Sequence, residues 1–443
     1  MKTPLENVVD VLINLKEKKI AIELINVFEK HATNLHEYNE IAKLYSNLKQ
    51  YKLSEKVLKQ CLEKKLDDNQ LYSIRYNLAK IYNSTNNPQL GLDLLLLNEQ
   101  LDSNNVEIFL DKALCYYFLG NYKESENIMQ QIINSPVASN ELKERALYNM
   151  STYELEKGNF KKGTKDHAVI GRKIGIHINK KLPNISVWDG KVQEGLNIVI
   201  LSEGGLGDEI IGIRFLHYIQ EKGMTPYWVT NQKQLIPVLE RHKYNYVKTE
   251  SDIPISNVVQ CHAFDLPYLL DLDKHDLWKG KYLTPSEEYI KKWQKILPEG
   301  KKYALKWYGN QEYDQDLHRG IDLEALKKLN INDVTLVSVQ LEGPPDLPFN
   351  VFNAGQYIES VEDTLAILSL CDKTITSCTS VVHMAGALDV PCIVCPPIAA
   401  YFPWLGRSDG YSNWYGKNLR VVRQTQHNDW DTVIKKVNLL LQE

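Results

Sequence analysis

The chain has 443 residues, of which 43% are hydrophobic and 24% are charged, and its formal net charge is −4. This length exceeds what a single hydrophobic core supports and predicts two or three domains. The slightly acidic balance provides no global basic field, which disfavours binding to duplex nucleic acid or to an anionic membrane.

The first segment, residues 1–19, alternates apolar and charged residues at helical spacing and lacks the continuous apolar core of a secretory signal. No stretch approaches the ~18 consecutive apolar residues that a membrane-spanning helix needs, so we expect no membrane span. The seven cysteines show no disulfide-framework spacing, which fits a reducing compartment. We therefore expect a cytoplasmic protein.

Four similar segments follow one another along residues 1–165. In each, an apolar helical stretch leads to a turn with an aromatic residue or proline, and these residues are Tyr51, Pro88, Tyr122 and Phe160. They lie 37, 34 and 38 residues apart, which is typical of the tetratricopeptide repeat, a helix pair that buries its apolar face against its neighbours. Such arrays contact a partner peptide or their own enzyme domain; the alternatives are a spacer and a dimerisation element.

Residues 166–194 lose this pattern and are punctuated by glycine and proline, which indicates a linker. A short β-branched strand at 196–201 then leads into the turn Ser-Glu-Gly-Gly-Leu-Gly-Asp at 202–208 and a helix. Strand, glycine-rich turn and helix form the opening unit of a doubly wound α/β domain. Gly205 and Gly207 let the backbone approach a ligand, while the helix N-terminus offers N–H groups to an anion.

This turn matches neither the Walker loop nor the dinucleotide fingerprint, so by itself it is weak evidence for a ligand. Its last residue, Asp208, has a simple alternative as a helix cap.

A second α/β lobe begins with a strand at 303–308, and further strands are predicted at 334–339 and 373–376. The last of these runs into Ser-Cys-Thr-Ser at 377–380 and then a helix. Three hydroxyl side chains before a helix can cap it, or can bind phosphate together with the helix N–H groups. Since capping requires one hydroxyl, we favour phosphate binding.

Four further side chains have competing interpretations. His383, in the first turn of that helix, is either a structural histidine or a ligand contact, and Arg319 either neutralises a diphosphate or lies on the surface. Cys392 and Cys395 have metal-like spacing, but residues three apart in a strand point to opposite faces. We therefore expect core cysteines.

Six stretches, taken in order, resemble bacterial proteins that fuse tetratricopeptide repeats to a heptosyltransferase-like (glycosyltransferase family 9-like) domain of the GT-B fold. The stretches are 200–208, 261–267, 305–310, 318–321, 379–388 and 412–415 with 419–424. The resemblance covers nearly the whole chain from Gly195 onward. It implies an α plus α/β protein: helical repeats at 1–165, a linker, and two Rossmann-like lobes at 195–300 and 301–443, the second with a C-terminal helix.

In this family a nucleotide-sugar donor lies in the cleft between the lobes, mainly against the second one. The resemblance implies that Asp208 is the general base that deprotonates the acceptor hydroxyl. Thr379 and Ser380 would hold the donor diphosphate, and Arg319 would stabilise the leaving group. The donor-binding residues implied in this way are Gly205, Gly207, Lys306, Asn310, Arg319, Thr379, Ser380 and His383. No metal and no cofactor beyond the donor substrate are expected.

The chain departs from the family pattern at Cys378, where an acidic residue usually precedes the hydroxyl pair, and at Asp314, where a lysine is common. The expected function is metal-independent transfer of a sugar from a nucleotide diphosphate to an acceptor hydroxyl, with inversion. The acceptor would be a protein, peptide or glycan contacted by the repeats, which also leave a homo-oligomer open. The alternatives are a catalytically degenerate binding or scaffold protein and, against the acidic charge, a nucleic acid base glycosyltransferase.

Overall fold

The structure, a computed structural model, describes residues 3–102, 105–309, 316–343 and 346–442. The chain divides into two compact units, residues 1–142 and 143–443, which are taken one at a time below. Within the described ranges, no helix is both long enough and apolar enough to cross a membrane. The domain limits at 165 and 194 stay predictions.

The first unit is helical. Its helices are α1 Pro4–Asn14, α2 Lys18–His31, α3 Leu35–Asn47, α4 Tyr51–Leu62, α5 Asp68–Ser84, α6 Pro88–Leu101, α7 Glu107–Phe118 and α8 Tyr122–Asn134. Two more follow, α9 Asn140–Glu156 and α10 Phe160–Lys173, and from residue 143 onward they belong to the second unit.

The repeat turns lie where the sequence placed them. The four turn residues are the first residues of α4, α6, α8 and α10: Tyr51, Pro88, Tyr122 and Phe160. Two positions before each of them the backbone adopts a positive φ, at Lys49, Asn86, Gly120 and Gly158. A left-handed residue ends a helix and reverses the chain, so the predicted helix pairs are confirmed.

The same pairs share a close contact between their two helices. Ser54 Oγ donates a hydrogen bond of 2.5 Å to the carbonyl of Ala42, and Ser125 donates to the carbonyl of Ala113 in the same way. At the equivalent Gly91, an added Cβ would lie 3.0 Å from a carbonyl oxygen. The repeat period therefore matches the recurrence of a small residue where the two helices of a pair cross closely.

One pair precedes the four that the sequence showed. Lys16 has a positive φ two positions before α2, and Ala21 and Val9 are fully buried at the places of the small residue and its partner. Sequence reasoning missed this pair because its turn carries lysines instead of the glycine, proline or aromatic residue of the others.

The second unit contains two parallel sheets. The first has β1 Ser186–Val187, β2 Asn197–Leu201, β3 Thr225–Val229 and β4 Val258–His262 in the order β1-β4-β2-β3. Its helices are α11 Leu206–Ile213, α12 Phe215–Glu221, α13 Ile236–Arg241, α14 Leu266–Leu269 and α15 Glu287–Ile296.

The second sheet has six parallel strands. They are β5 Lys302–Lys306, β6 Thr335–Ser338, β7 Val351–Asn353, β8 Lys373–Ser377, β9 Cys392–Cys395 and β10 Leu419–Val421, in the order β10-β9-β8-β5-β6-β7. Its helices are α16 Asp316–Arg319, α17 Leu323–Leu326, α18 Val361–Leu370, α19 Ser380–Leu388 and α20 Trp430–Gln442. The predicted fold class, helical repeats followed by two Rossmann-like lobes, is confirmed.

Successive side chains of strand β9 pack into two different hydrophobic cores. Cys392 packs into one of them and Cys395 into the other, and both side chains are buried. The prediction that these cysteines lie on opposite faces of a strand is therefore confirmed. Burial raises the pKa of both thiols, the one on Cys395 to about 12.

Candidate active site

The glycine-rich turn after β2 is shaped to hold a carboxylate. Gly204 has a φ of +72°, and a Cβ added there would lie 2.3 Å from Asp208 Oδ2. The N–H of Gly205 donates a hydrogen bond of 2.7 Å to the same oxygen. Asp208, the third residue of α11, therefore folds back over the start of its own helix.

The second oxygen of this carboxylate contacts the other lobe. The hydroxyl of Tyr401, in the segment after β9, donates a hydrogen bond to Asp208 Oδ1. Burial raises the pKa of Asp208 above its usual value, while the hydrogen bonds from Tyr401 and Gly205 and the charge of Arg319 oppose that rise. A carboxylate with a raised pKa in a cleft is suited to accepting a proton.

The turn after β8 is built differently. Thr379 occupies the N-cap position of α19, yet its side chain makes no capping hydrogen bond, and its Oγ1 lies 3.2 Å from Thr376 Oγ1 instead. The neighbouring hydroxyl of Ser377 is buried and has no hydrogen-bond partner in the protein. The N-terminal N–H groups of α19 thus have no cap from Thr379, which favours an anion there over the capping interpretation.

Arg319, at the end of α16, lies against this turn. Its Nη1 donates a hydrogen bond of 3.0 Å to the carbonyl of Cys378. The thiol of Cys378 accepts a hydrogen bond of 3.0 Å from Trp404 Nε1, and burial raises its pKa to about 11. The side chain next to this carbonyl contact is therefore a neutral thiol.

Gly207 brings the two turns together. A Cβ added there would lie 2.7 Å from His383 Cδ2 and 3.4 Å from the Cα of Ser380, so α11 and α19 approach each other closely. His383 is 3% exposed, its Nδ1 lies 2.6 Å from the hydroxyl of Tyr415, and burial lowers its pKa to about 3. The ring is neutral and lies beside Gly207, and its role as a donor contact stays a prediction.

The remaining predicted donor residues lie along the carboxyl edge of the second sheet. Lys306 is the last residue of β5, next to β8, and Asn310 and Asp314 lie outside the described residues. Sequence reasoning missed two buried amide oxygens at the same edge, Gln340 Oε1 after β6 and Asn353 Oδ1 at the end of β7, which have no partner in the protein. A polar residue at the end of a buried strand was the available signal.

A buried ion cluster anchors the turn that carries Asp208. Arg172 of α10 donates a hydrogen bond of 2.8 Å to Glu203 and forms an ion pair with Asp265. Glu203, which is 1% exposed, also accepts a hydrogen bond of 3.0 Å from the N–H of Phe264. One arginine therefore fixes the loops after β2 and β4, although it falls in the segment that the sequence indicated as a linker.

A pocket opens beside Asp208, and its lining is mostly apolar and aromatic. It is lined by Leu155, Thr164, His167, Asp208, Ile211, Gly212, Phe215, Ala263, Phe264, Pro267, Phe402 and Trp414. Thr164 donates a hydrogen bond of 2.9 Å within its own helix, and His167 Nε2 lies 3.2 Å from the Tyr148 hydroxyl. Burial lowers the pKa of His167 to about 3, so Asp208 supplies the charge of this lining.

Over the described part of the chain, no cluster of three or more histidine, cysteine, aspartate or glutamate side chains is arranged to hold a metal ion. The expectation that the reaction needs no metal stays a prediction.

Several solved structures of glycosyltransferases resemble this chain. The ADP-heptose lipopolysaccharide heptosyltransferase II of E. coli is 12% identical, with a TM-score of 0.37 over 56% of this chain and 99% of its own. A mutant O-GlcNAc transferase from Thermobaculum terrenum is 11% identical, with a TM-score of 0.35 over 92% of this chain and 91% of its own. A family 9 glycosyl transferase from Veillonella parvula is 11% identical, with a TM-score of 0.35 over 57% and 91%.

No family model matches the chain, and no curated protein matches it significantly. The class of protein that the six sequence stretches indicated does recur among the similar structures. Because the TM-scores lie below 0.5 and the identities near 12%, these likenesses carry no argument about activity. The functional proposal depends on the site itself.

Proposed function

We propose that the chain is a glycosyltransferase that moves a sugar from a nucleotide diphosphate to an acceptor hydroxyl. The observation that carries the proposal is the close approach of two turns with opposite electrostatic character. One presents the carboxylate of Asp208, and the other presents a helix N-terminus without a side-chain cap beside the guanidinium of Arg319.

The donor diphosphate would bind at the start of α19. The N–H groups there and the positive end of the helix dipole favour an anion, and Thr379 and Ser380 lie at that end of the helix. The buried hydroxyl of Ser377 has a hydrogen to donate, and Arg319 offers a guanidinium suited to phosphate oxygens. Lys306, Gly205 and Gly207 line the approach in this proposal, and His383 lies behind it.

In the proposed reaction, Asp208 accepts the proton of the acceptor hydroxyl while that oxygen attacks the anomeric carbon. The bond from this carbon to the diphosphate oxygen breaks, and the leaving group takes the electron pair. Arg319 and the α19 N-terminus stabilise the negative charge that develops on it. A single displacement of this kind inverts the anomeric configuration. In this proposal the protein supplies the positive charge that stabilises the leaving group, and no metal ion is required.

The acceptor would be a protein, peptide or glycan, and we propose that the helical repeats contact it. The support for this is the repetition in the first unit, in which the pairs α3–α4 and α7–α8 share the same contact between a serine and a carbonyl, as expected of stacked repeats.

A panel of nucleotide-diphosphate sugars, screened by thermal shift and then by calorimetry, tests the proposal. At least one member should raise the melting temperature and donate its sugar to an acceptor or to water. In Asp208→Asn the binding should persist while transfer falls by about 10²- to 10⁴-fold. Asp252→Asn, an exposed aspartate on another loop, is the matched control.

Failure of every nucleotide sugar to bind would overturn the proposal. Binding without any turnover would instead favour a second candidate, a catalytically degenerate module that recruits partners through its repeats. The neutral Cys378 in place of an acidic residue is the observation that motivates this second candidate.

A further inference from the structure

Tyr401 connects the second lobe to the candidate base in the first. We propose that Tyr401 is a positioning residue that orients Asp208 for proton transfer, so that the base is correctly oriented only while the two lobes are in contact. This inference rests on the proposed function, and it concerns a residue that the sequence did not assign to the site.

The geometry fixes both oxygens of the carboxylate. Gly205 donates to Oδ2 from the turn before α11, and Tyr401 donates to Oδ1 from the segment after β9. Two donors on opposite oxygens set the plane of the carboxylate. Since an ionised carboxylate has about four lone-pair sites, the remaining ones stay available for an acceptor hydroxyl.

The segment that carries Tyr401 is anchored without the help of its hydroxyl. Phe402, whose ring centroid lies 4.3 Å from that of Tyr401, lines the pocket beside Asp208. Trp404 is 2% exposed and stacks on His383 at 5.5 Å. Packing therefore holds the backbone of this segment, and the phenolic hydroxyl donates a hydrogen bond to the Asp208 carboxylate.

Other charged and titratable groups also lie around Asp208. Glu203 is paired with Arg172, and burial raises its pKa, while the guanidinium of Arg319 acts on the carboxylate directly. Cys378 is a neutral thiol because burial raises its pKa, and His167 and His383 are neutral because burial lowers theirs. Among these described neighbours, Tyr401 is the one whose O–H donates directly to the carboxylate from the second lobe. Separating the lobes would therefore remove this bond, while the hydrogen bond from Gly205 would stay.

The test is Tyr401→Phe in the full chain. On the pH plateau kcat should fall about tenfold as the carboxylate loses its orientation, while KM for the donor stays within about twofold. The rate requires ionised Asp208 and falls as the pH drops through its pKa. Losing a donor that favours the charged form raises that pKa, so the acid limb should move to higher pH. Tyr411→Phe, on a neighbouring loop, is the control.

A second measurement does not depend on turnover. Carbon-13 NMR of labelled aspartate carboxyls, with the Asp208 signal identified by its loss in Asp208→Asn, should show a higher pKa in Tyr401→Phe than in the wild type. Equal pKa values and an unchanged acid limb, in a protein that does transfer sugar, would overturn the inference and leave the proposed function standing.

Sugar attached to Tyr401 itself, detected by peptide mass spectrometry, would also overturn it, because the residue would then be an acceptor. Absence of transfer by the wild type would count against the proposed function, and the NMR titration would still report on the bond.

Discussion

The chain contains the same local unit twice, a parallel strand followed by a turn and a helix. The two copies differ in the side chains at the start of the helix. After β2, the helix α11 turns its own Asp208 back onto the N–H of Gly205. After β8, the N-cap Thr379 of α19 bonds Thr376 and leaves the helix start without its cap. One side chain near the helix N-terminus thus decides whether such a unit holds a carboxylate over its own helix or leaves the helix start without a side-chain cap.

The surroundings of the two turns reinforce this difference. At the first turn, the charge of Arg172 is compensated by its ion pairs with Glu203 and Asp265. Arg319 lies against the second turn, where the adjacent Cys378 is neutral. The positive charge is therefore concentrated where a diphosphate would lie.

The largest effect is expected from a carboxylate at the start of α19, which would make the second turn resemble the first. Thr379→Asp places a carboxylate at the N-cap of α19, where it satisfies the helix N–H groups and repels phosphate. Calorimetry should show nucleotide-diphosphate binding weakened about 100-fold, close to 3 kcal/mol.

Thr379→Ser, which keeps a hydroxyl at the same position, should bind nearly as the wild type does. If Thr379→Asp binds nucleotide diphosphate with unchanged affinity, the anion does not lie at the start of α19.

A smaller effect is expected from replacing Gly204, the glycine that leaves room for the Asp208 side chain. Gly204→Ala adds a Cβ 2.3 Å from Asp208 Oδ2 at a φ of +72°, whereas Gly195→Ala meets the same φ with nothing within 4 Å. Both variants carry the backbone strain of about 1 kcal/mol, and only Gly204→Ala must also displace the carboxylate.

Urea denaturation should therefore show Gly204→Ala less stable than Gly195→Ala by about 1 kcal/mol, and transfer should fall in Gly204→Ala alone. Equal losses of stability and activity in the two variants would show that the turn does not depend on the space beside Asp208.

The smallest effect concerns stability and pH. Because the pKa of Asp208 is raised in the folded protein, the folded state binds more protons than the unfolded state between the ordinary and the raised pKa. The free energy of unfolding therefore falls as the pH rises through that window. Asp208→Asn removes this cost and should be slightly more stable than the wild type at neutral pH.

Chemical denaturation at pH 4 and at pH 7 checks this sign. A variant that is less stable than the wild type at neutral pH would indicate that the ionised carboxylate stabilises the turn.

Local features of the site followed from the sequence, and long-range contacts did not. The glycine turns, the strands and the hydroxyls before α19 were recognisable because each depends on neighbouring residues. The bond between Tyr401 and Asp208 joins residues 193 positions apart, and the cation that holds Glu203 lies 31 positions upstream in a different helix. Such pairs exist only once the sheets and helices have packed.

The hydroxyls before α19 have different surroundings in the structure. Thr379 lies near Thr376, while the hydroxyl of Ser377 is buried without a partner in the protein. Their spacing in the sequence gave no information on this difference, because the side-chain directions depend on the register of β8 with its neighbours.

The ion cluster at Arg172 has a consequence for how this protein can be divided. A fragment starting at residue 195 would keep every described strand of the two sheets except β1. Glu203 and Asp265 would lose the cation that compensates them, and the pocket beside Asp208 would lose Leu155, Thr164 and His167. The final helix pair is therefore not interchangeable with the pairs before it. Recombination between α10 and β2 would separate the cluster's cation from its carboxylates.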